Sequence, residues 1–164
     1  MQDVPTAEDA WRRDNVGRLL HEAVHRFESR VLARLAARGF GEVRLAHVGV
    51  TRNLDTAGTR ATELARRASM TKQAMGELIE QCVALRLVSR ETDPADRRAK
   101  TVRFTAHGFH FLDEFRRAVA EAQAEMGGRL GEARLDALLS ALRDYARPDG
   151  EAPTCDGAPR GGQA

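Results

Sequence analysis

A mainly α-helical fold carrying one β-hairpin is what this 164-residue chain predicts, and three observations predict it. Apolar residues recur at three- and four-residue steps through most of the length, the spacing that gives a helix one buried stripe. The stretch from Val88 to Thr105 alternates instead, around a turn that contains a proline. Two helical patterns, one short and one longer, sit just before that stretch with only a tight turn between them.

Taken in order, Val16, Leu20, Val24, Phe27, Val31 and Leu35 make one stripe, so a long amphipathic helix runs over about 15–38. Asn15 is its N-cap and Gly39 its stop. A second helix, about 42–54, places Val43, Ala46, Val50 and Leu54 on one face, and Asp55 to Gly58 form a loop. The paired helices fill about 60–87. Thr71 caps the second of them, with Ala74, Leu78, Cys82 and Leu85 on its buried face. Strands Val88–Thr92 and Lys100–Thr105 flank DPADRRA, where Pro94 and the aspartates supply turn chemistry, giving a hairpin over about 88–105. Thr105 also caps a helix with the stripe Leu112, Phe115, Val119, Ala122 and Met126. Gly127-Gly128 breaks it, and a last helix carries Leu135, Leu138, Leu139, Leu142 and Tyr145. Residues 1–14 form an N-terminal segment, 15–147 one domain, and 148–164, almost without large apolar side chains, a disordered tail.

A helix pair followed by a hairpin is the order of a winged helix-turn-helix, in which one helix enters the major groove of DNA and the hairpin reaches the neighbouring backbone or minor groove. The long first helix (about 15–38) and the last helices (about 106–147) have stripes to bury. A second copy would cover them and supply two reading heads, which predicts a helical dimerisation region from the N- and C-terminal helices and a homodimer.

Composition agrees with this class and excludes others. Hydrophobic residues make up 42% and charged residues 30%, as in soluble globular proteins. No apolar run approaches the roughly 20 residues of a membrane span, and the N-terminus lacks a signal-peptide core. Cys82 and Cys155 make no disulfide framework, so a cytoplasmic location is expected. Net charge is only +2, but Arg60–Arg103 holds ten basic against six acidic residues while the remainder holds 16 against 18. The positive excess lies where a nucleic acid would be bound.

The chemistry expected of these residues is recognition. At the start of the reading helix, Lys72, Gln73 and Glu77 face outward, and Gly76 allows close approach. Gln pairs bidentately with adenine, Lys with guanine acceptors, and Glu accepts from cytosine. Thr62, Arg66, Ser69 and the helix start at Thr71 suit phosphate oxygens. The hairpin adds Arg90, Arg97, Arg98 and Lys100. An arginine at a hairpin tip favours a narrow minor groove, and Asp96 stands two residues from Arg98, close enough to orient its guanidinium.

The ordered set T-E-L-A (62–65), M-T-K-Q-A-M (70–75), L-V-x-R (87–90), D-P-x-D-R-R-x-K (93–100) and F-T-x-x-G (104–108) resembles the MarR family of bacterial transcriptional regulators. That resemblance implies a homodimer on a pseudo-palindromic operator in double-stranded DNA, acting as a repressor released by a small aromatic or phenolic ligand. It also implies that Arg98 is the minor-groove arginine, Asp96 its orienting partner, and that Lys72 and Gln73 enter the major groove. The effector would lie between dimer core and reading head, where His25, His47 and Arg52 are placed. Glu77 stands where many relatives have a basic or neutral polar residue, and Arg86 where many have glycine.

Rival readings have less behind them. The five histidines (His21, His25, His47, His107 and His110) could argue for a metal sensor, but no cysteine or carboxylate joins them at a ligand spacing, so no metal and no cofactor is expected. A redox sensor needs an accessible, acidic thiol, whereas Cys82 falls on the buried stripe and Cys155 sits beside Asp156. A protein-interaction adaptor of the same fold would not need the basic hairpin. With no P-loop, dinucleotide fingerprint or H-E-x-x-H, the chain is not expected to be an enzyme.

Overall fold

A computed structural model describes residues 11–12, 14–92 and 100–147 of the chain. The hairpin tip with Asp96, Arg97 and Arg98 and the tail from Pro148 onward lie outside the described residues. The chain groups into two compact units, one through Gln123 and one from Ala124.

Helix α1 spans Val16–Leu35, and Asn15 caps it as expected, its side chain accepting from the Arg18 N–H at 3.0 Å. Beyond Leu35 the backbone passes through a wider turn, Ala36–Phe40, and leaves helical angles at Arg38 and Gly39. Gly39 has φ +88°, a left-handed conformation that glycine adopts without the Cβ penalty. Helix α2 covers Leu45–Asn53, starting later than the expected residue 42. The start is fixed by Arg44, whose extended backbone N–H donates to the His47 ring. Val43 is therefore buried ahead of the helix, Ala46 is exposed, and the buried face is His47, Val48, Val50 and Thr51.

A short strand not expected from the sequence follows, β1 (Thr59–Arg60). It pairs antiparallel with β3, Thr59 opposite Val102 and Arg60 opposite Thr101. Helices α3 (Ala61–Arg67) and α4 (Lys72–Ala84) form the helix-turn-helix, and strands β2 (Val88–Thr92) and β3 (Lys100–Phe104) form the wing. The sheet order is β1-β3-β2. The strand ends one residue earlier than expected, at Phe104, and Thr105 caps helix α5 (Ala106–Leu130) as expected.

Both helices of the pair end in the same hydrogen-bond pattern. After α3, the Ser69 N–H reaches the Arg66 carbonyl and the Met70 N–H reaches that of Ala65. After α4, Arg86 reaches Val83 and Leu87 reaches Cys82. These are Schellman motifs, which need one left-handed residue each. Here that residue is not glycine: Ser69 has φ 52° and Arg86 has φ 57°. The left-handed region costs a residue with a Cβ about 1–2 kcal/mol, so both turns are held by their surroundings.

The surroundings of the second turn are specific. The Thr105 hydroxyl donates to the Arg86 carbonyl and accepts from the Gly108 N–H, and the Thr105 N–H donates to the Leu87 carbonyl at 3.1 Å. A Cβ at Gly108 would stand 1.9 Å from the Leu87 oxygen. The F-T-x-x-G run thus brings the first turn of α5 onto the end of α4, with β2 and β3 leaving from the same point.

One apolar cluster fills the first unit. Val31 and Leu35 of α1, Phe40 and Val43 join Val48, Val50, Leu64, Met75, Ile79, Cys82, Leu87, Val102, Phe104, Phe111, Ala118 and Ala122. Phe40 meets Phe111 edge-on at 5.3 Å between centroids, a favoured aromatic geometry. Only the C-terminal half of the α1 stripe takes part: Val16 is 74% exposed and Val24 52%. At the base of the cluster an ionic group joins α1's end to α5, with Arg38 bridging Glu114 (3.1 Å) and Glu121 (2.6 Å).

In the second unit, α5 does not break at Gly127-Gly128 but runs through them to Leu130, and Gly131 (φ +87°) makes the break before α6 (Glu132–Tyr145). A Cβ at Gly127 would lie 3.1 Å from Glu132 Oε1 and 3.3 Å from a Leu135 methyl. The glycine there serves close packing rather than helix termination.

Two stability predictions follow from these turns. Gly108→Ala should destabilise the protein by about 3 kcal/mol, because the obstacle is backbone and not a side-chain tip, a loss read from a denaturant melt. Arg86→Gly should raise stability by about 0.5–1 kcal/mol in the same assay by relieving the left-handed strain.

Candidate nucleic-acid interface

The first turn of α4 is where the expected contacts gather. Thr71 caps it, its hydroxyl accepting from the Ala74 N–H at 3.2 Å. With the start fixed there, the buried face of α4 is Met75, Ile79 and Cys82; Ala74, Leu78 and Leu85 are half-buried flanks of that stripe rather than its centre. Cys82 lies on the expected stripe, whereas the stripe's other members shift toward Met75 and Ile79. Met75 itself is core, 1% exposed.

On the opposite side Thr71, Lys72, Gln73 and Glu77 are exposed together, Gln73 donating to Glu77 Oε1 at 3.3 Å. Gly76 lies between them, and a Cβ there would meet nothing within 4 Å. Ser69 is exposed in the left-handed turn that leads into this face. On α3, Thr62 is exposed, and Arg66 makes a bidentate pair with Glu63 at 2.7 and 2.8 Å. Lys100 is exposed where β3 begins.

Two ion-pair systems of this region escaped the sequence reading. Glu63 accepts from both Arg66 and Arg67, and those hydrogen bonds hold its carboxyl down to about 2, far below the usual range. Arg67 continues to the Asn53 carbonyl (3.0 Å) and Asp55 (2.9 Å), tying α3 to the end of α2. The stabilisation from Glu63 is therefore complete above its ordinary pKa and lost only as pH falls toward 2. The other system is Arg90. Its guanidinium does not point into solvent but pairs with Glu80 and donates to the Gly76 carbonyl at 3.2 Å, both on α4. Strand alternation could have revealed this, since Arg90 follows Val88 on one face and opposes the buried Val102.

Three residues are assigned to an effector from the sequence: His25, His47 and Arg52. His25 and Arg52 are exposed, on α1 and α2. His47 is buried and fully used: Nδ1 accepts from the Arg44 N–H at 3.1 Å, which places the ring proton on Nε2, donating to Gln81 Oε1 on α4 at 2.9 Å. It joins the start of α2 to α4.

Of the sensing alternatives, Cys82 is wholly buried and burial pushes its thiol up to about 11, which removes thiolate character. Cys155 lies outside the described residues. Among the described residues no group of three His, Cys, Asp or Glu side chains is arranged to hold a metal ion. His107 and His110 instead pack against Phe40, with ring centroids at 5.2 and 5.6 Å. Among the described residues, too, no helix is long and apolar enough to cross a membrane.

Residues 45–99, about a third of the chain, match the family model described as MarR family. Solved structures share the fold. The apo form of MarR from E. coli has a TM-score of 0.68 at 19% identity, over 82% of this chain and 98% of that one. A transcriptional repressor, CouR, bound to a 23-mer DNA duplex matches at 0.64 and 23%, over 87% and 100% of the two chains. The Mycobacterium tuberculosis MarR family protein RV2887, in complex with p-aminosalicylic acid, matches at 0.63 and 23%, over 82% and 100%. No curated protein sequence matches this one.

His47→Ala should cost about 2–4 kcal/mol of stability, since it opens a void and strands the Arg44 N–H and the Gln81 amide. Equilibrium unfolding would measure it; a loss under 1 kcal/mol would show that the two ring contacts contribute little.

Proposed function

We propose, for a chain that carries a MarR-family winged helix-turn-helix, that it is a sequence-specific double-stranded DNA-binding transcriptional regulator acting as a homodimeric repressor in the cytoplasm. The observation that carries this reading is the exposed polar face at the start of α4, where Thr71, Lys72, Gln73 and Glu77 stand clear of the core beside the wing. In this reading Lys72, Gln73 and Glu77 meet base edges, while Thr62, Arg66, Ser69 and Lys100 reach phosphates. Arg98, oriented by Asp96 and flanked by Arg97, enters the minor groove. The dimer is supported by apolar surface left bare on α1 (Val16, Leu19 and Val24) and, separately, on α6 (Leu142 and Tyr145). A face of that kind on a single chain calls for a covering partner.

Release by a small aromatic or phenolic ligand belongs to the same proposal. RV2887 was solved with p-aminosalicylic acid, a small aromatic acid. His47 is already satisfied within the fold, so an effector would be held by other residues; His25 and Arg52 keep exposed side chains.

Fluorescence anisotropy with duplex from the gene's own promoter region and with a scrambled duplex tests the reading. Tight, strongly salt-dependent binding with preference for the promoter duplex is expected. Equal affinity for both duplexes, or none at low salt, defeats it. Within that assay Arg98→Ala should weaken binding by about 1–3 kcal/mol.

A further inference from the structure

Arg90, a candidate DNA contact by sequence, is engaged by the reading helix in the free protein. Strand alternation places it on the inner face of β2, two residues from Val88 and opposite Val102, both buried. Its side chain is only 28% exposed. One terminal nitrogen pairs with Glu80, the other donates to the Gly76 carbonyl at 3.2 Å, and Nε is buried under the protein. The guanidinium is thus committed to α4 on its terminal nitrogens and covered on its third.

The row it grips matters. Lys72, Gly76 and Glu80 follow one another at four-residue steps, so they stack along one side of α4. A planar fork held by the second and third members fixes the rotation of the row whose first member is Lys72. We infer that Arg90 is a positioning residue: a strut from the wing to the reading helix that sets the angle between them, and with it which base pairs the helix and the wing can address together. This rests on the DNA-binding reading above, but the strut itself is a property of the free protein.

Two measurements decide it. In the first, amide hydrogen exchange of the DNA-free protein is followed in wild type, Arg90→Ala and Glu80→Gln. Faster exchange in β2 and β3 in both variants supports the strut; wild-type exchange in both overturns it, whatever the protein does with DNA. In the second, anisotropy titrations across salt compare the same proteins and Arg90→Lys on promoter and scrambled duplexes. A strut predicts that Arg90→Ala and Arg90→Lys lose promoter preference alike, by about 10-fold, with the salt slope unchanged. It also predicts that Glu80→Gln lowers the preference, since it releases the same strut from its other end.

A phosphate contact gives the opposite pattern. Arg90→Ala would flatten the slope by about 0.9, Arg90→Lys would stay near wild type, and Glu80→Gln would tighten binding by freeing the guanidinium. Any of these overturns the inference. Should the wild type itself ignore both duplexes, the functional reading fails, and hydrogen exchange alone still judges the strut.

Discussion

The Leu87 carbonyl is the point on which the helix-turn-helix and its wing are built. It receives the Thr105 N–H, and a Cβ on Gly108 would collide with it. The Leu87 N–H, in turn, closes the last turn of α4 by reaching Cys82. Three elements therefore converge on one residue: the end of α4, the strand leaving for the wing and the helix returning from it. Because backbone groups make these contacts, their geometry hardly depends on side-chain rotamers. The strain at Arg86 is the cost of this convergence, and the Thr105 hydroxyl on the Arg86 carbonyl helps to hold it.

Around that point, polar side chains bring neighbouring elements to α4 from two sides. His47 comes from the start of α2 and meets Gln81; Arg90 comes from β2 and meets Glu80 and Gly76. Arg67 performs the equivalent task for α3, reaching Asn53 and Asp55. Apolar burial supplies most of the stability of such a core but fixes angles weakly, since a greasy face slides. Directional bonds from a guanidinium or an imidazole define the angles. Several positive charges counted toward a DNA footprint are paired within the protein itself: Arg67 and Arg90 tie helices and strand together, and Arg103 lies against Glu91 and the Ala57 carbonyl.

Much of this was legible in the sequence, and what was not has identifiable causes. Periodicity found the helices, and the caps at Asn15, Thr71 and Thr105 fell where the residue types put them, because a side-chain oxygen beside free backbone N–H groups is a local matter. Alternation found the wing strands. Strand β1 was missed because two residues carry no period, and its existence depends on β3 lying alongside. The pair Gly127-Gly128 looked like a stop because glycine weakens helices, yet Gly127 is set by its closeness to Glu132 and Leu135. Among the candidate contact residues, exposure at Lys72, Gln73 and Glu77 followed from the helix start. The inward turn of Arg90 and the reach of His47 to Gln81 depended on partners ten and thirty-four positions away, which spacing along one element does not reveal.

The order of the sheet has a consequence for the protein in a crowded cell. A row of unpaired backbone groups at a sheet margin invites another chain to zip on, the first step toward fibres. Here the longest strands pair with each other, and one margin is a strand of two residues, too short to template growth. The other margin, β2, carries Arg90 and Glu91 in a run of only five. The wing hairpin is in this way kept from recruiting its neighbours.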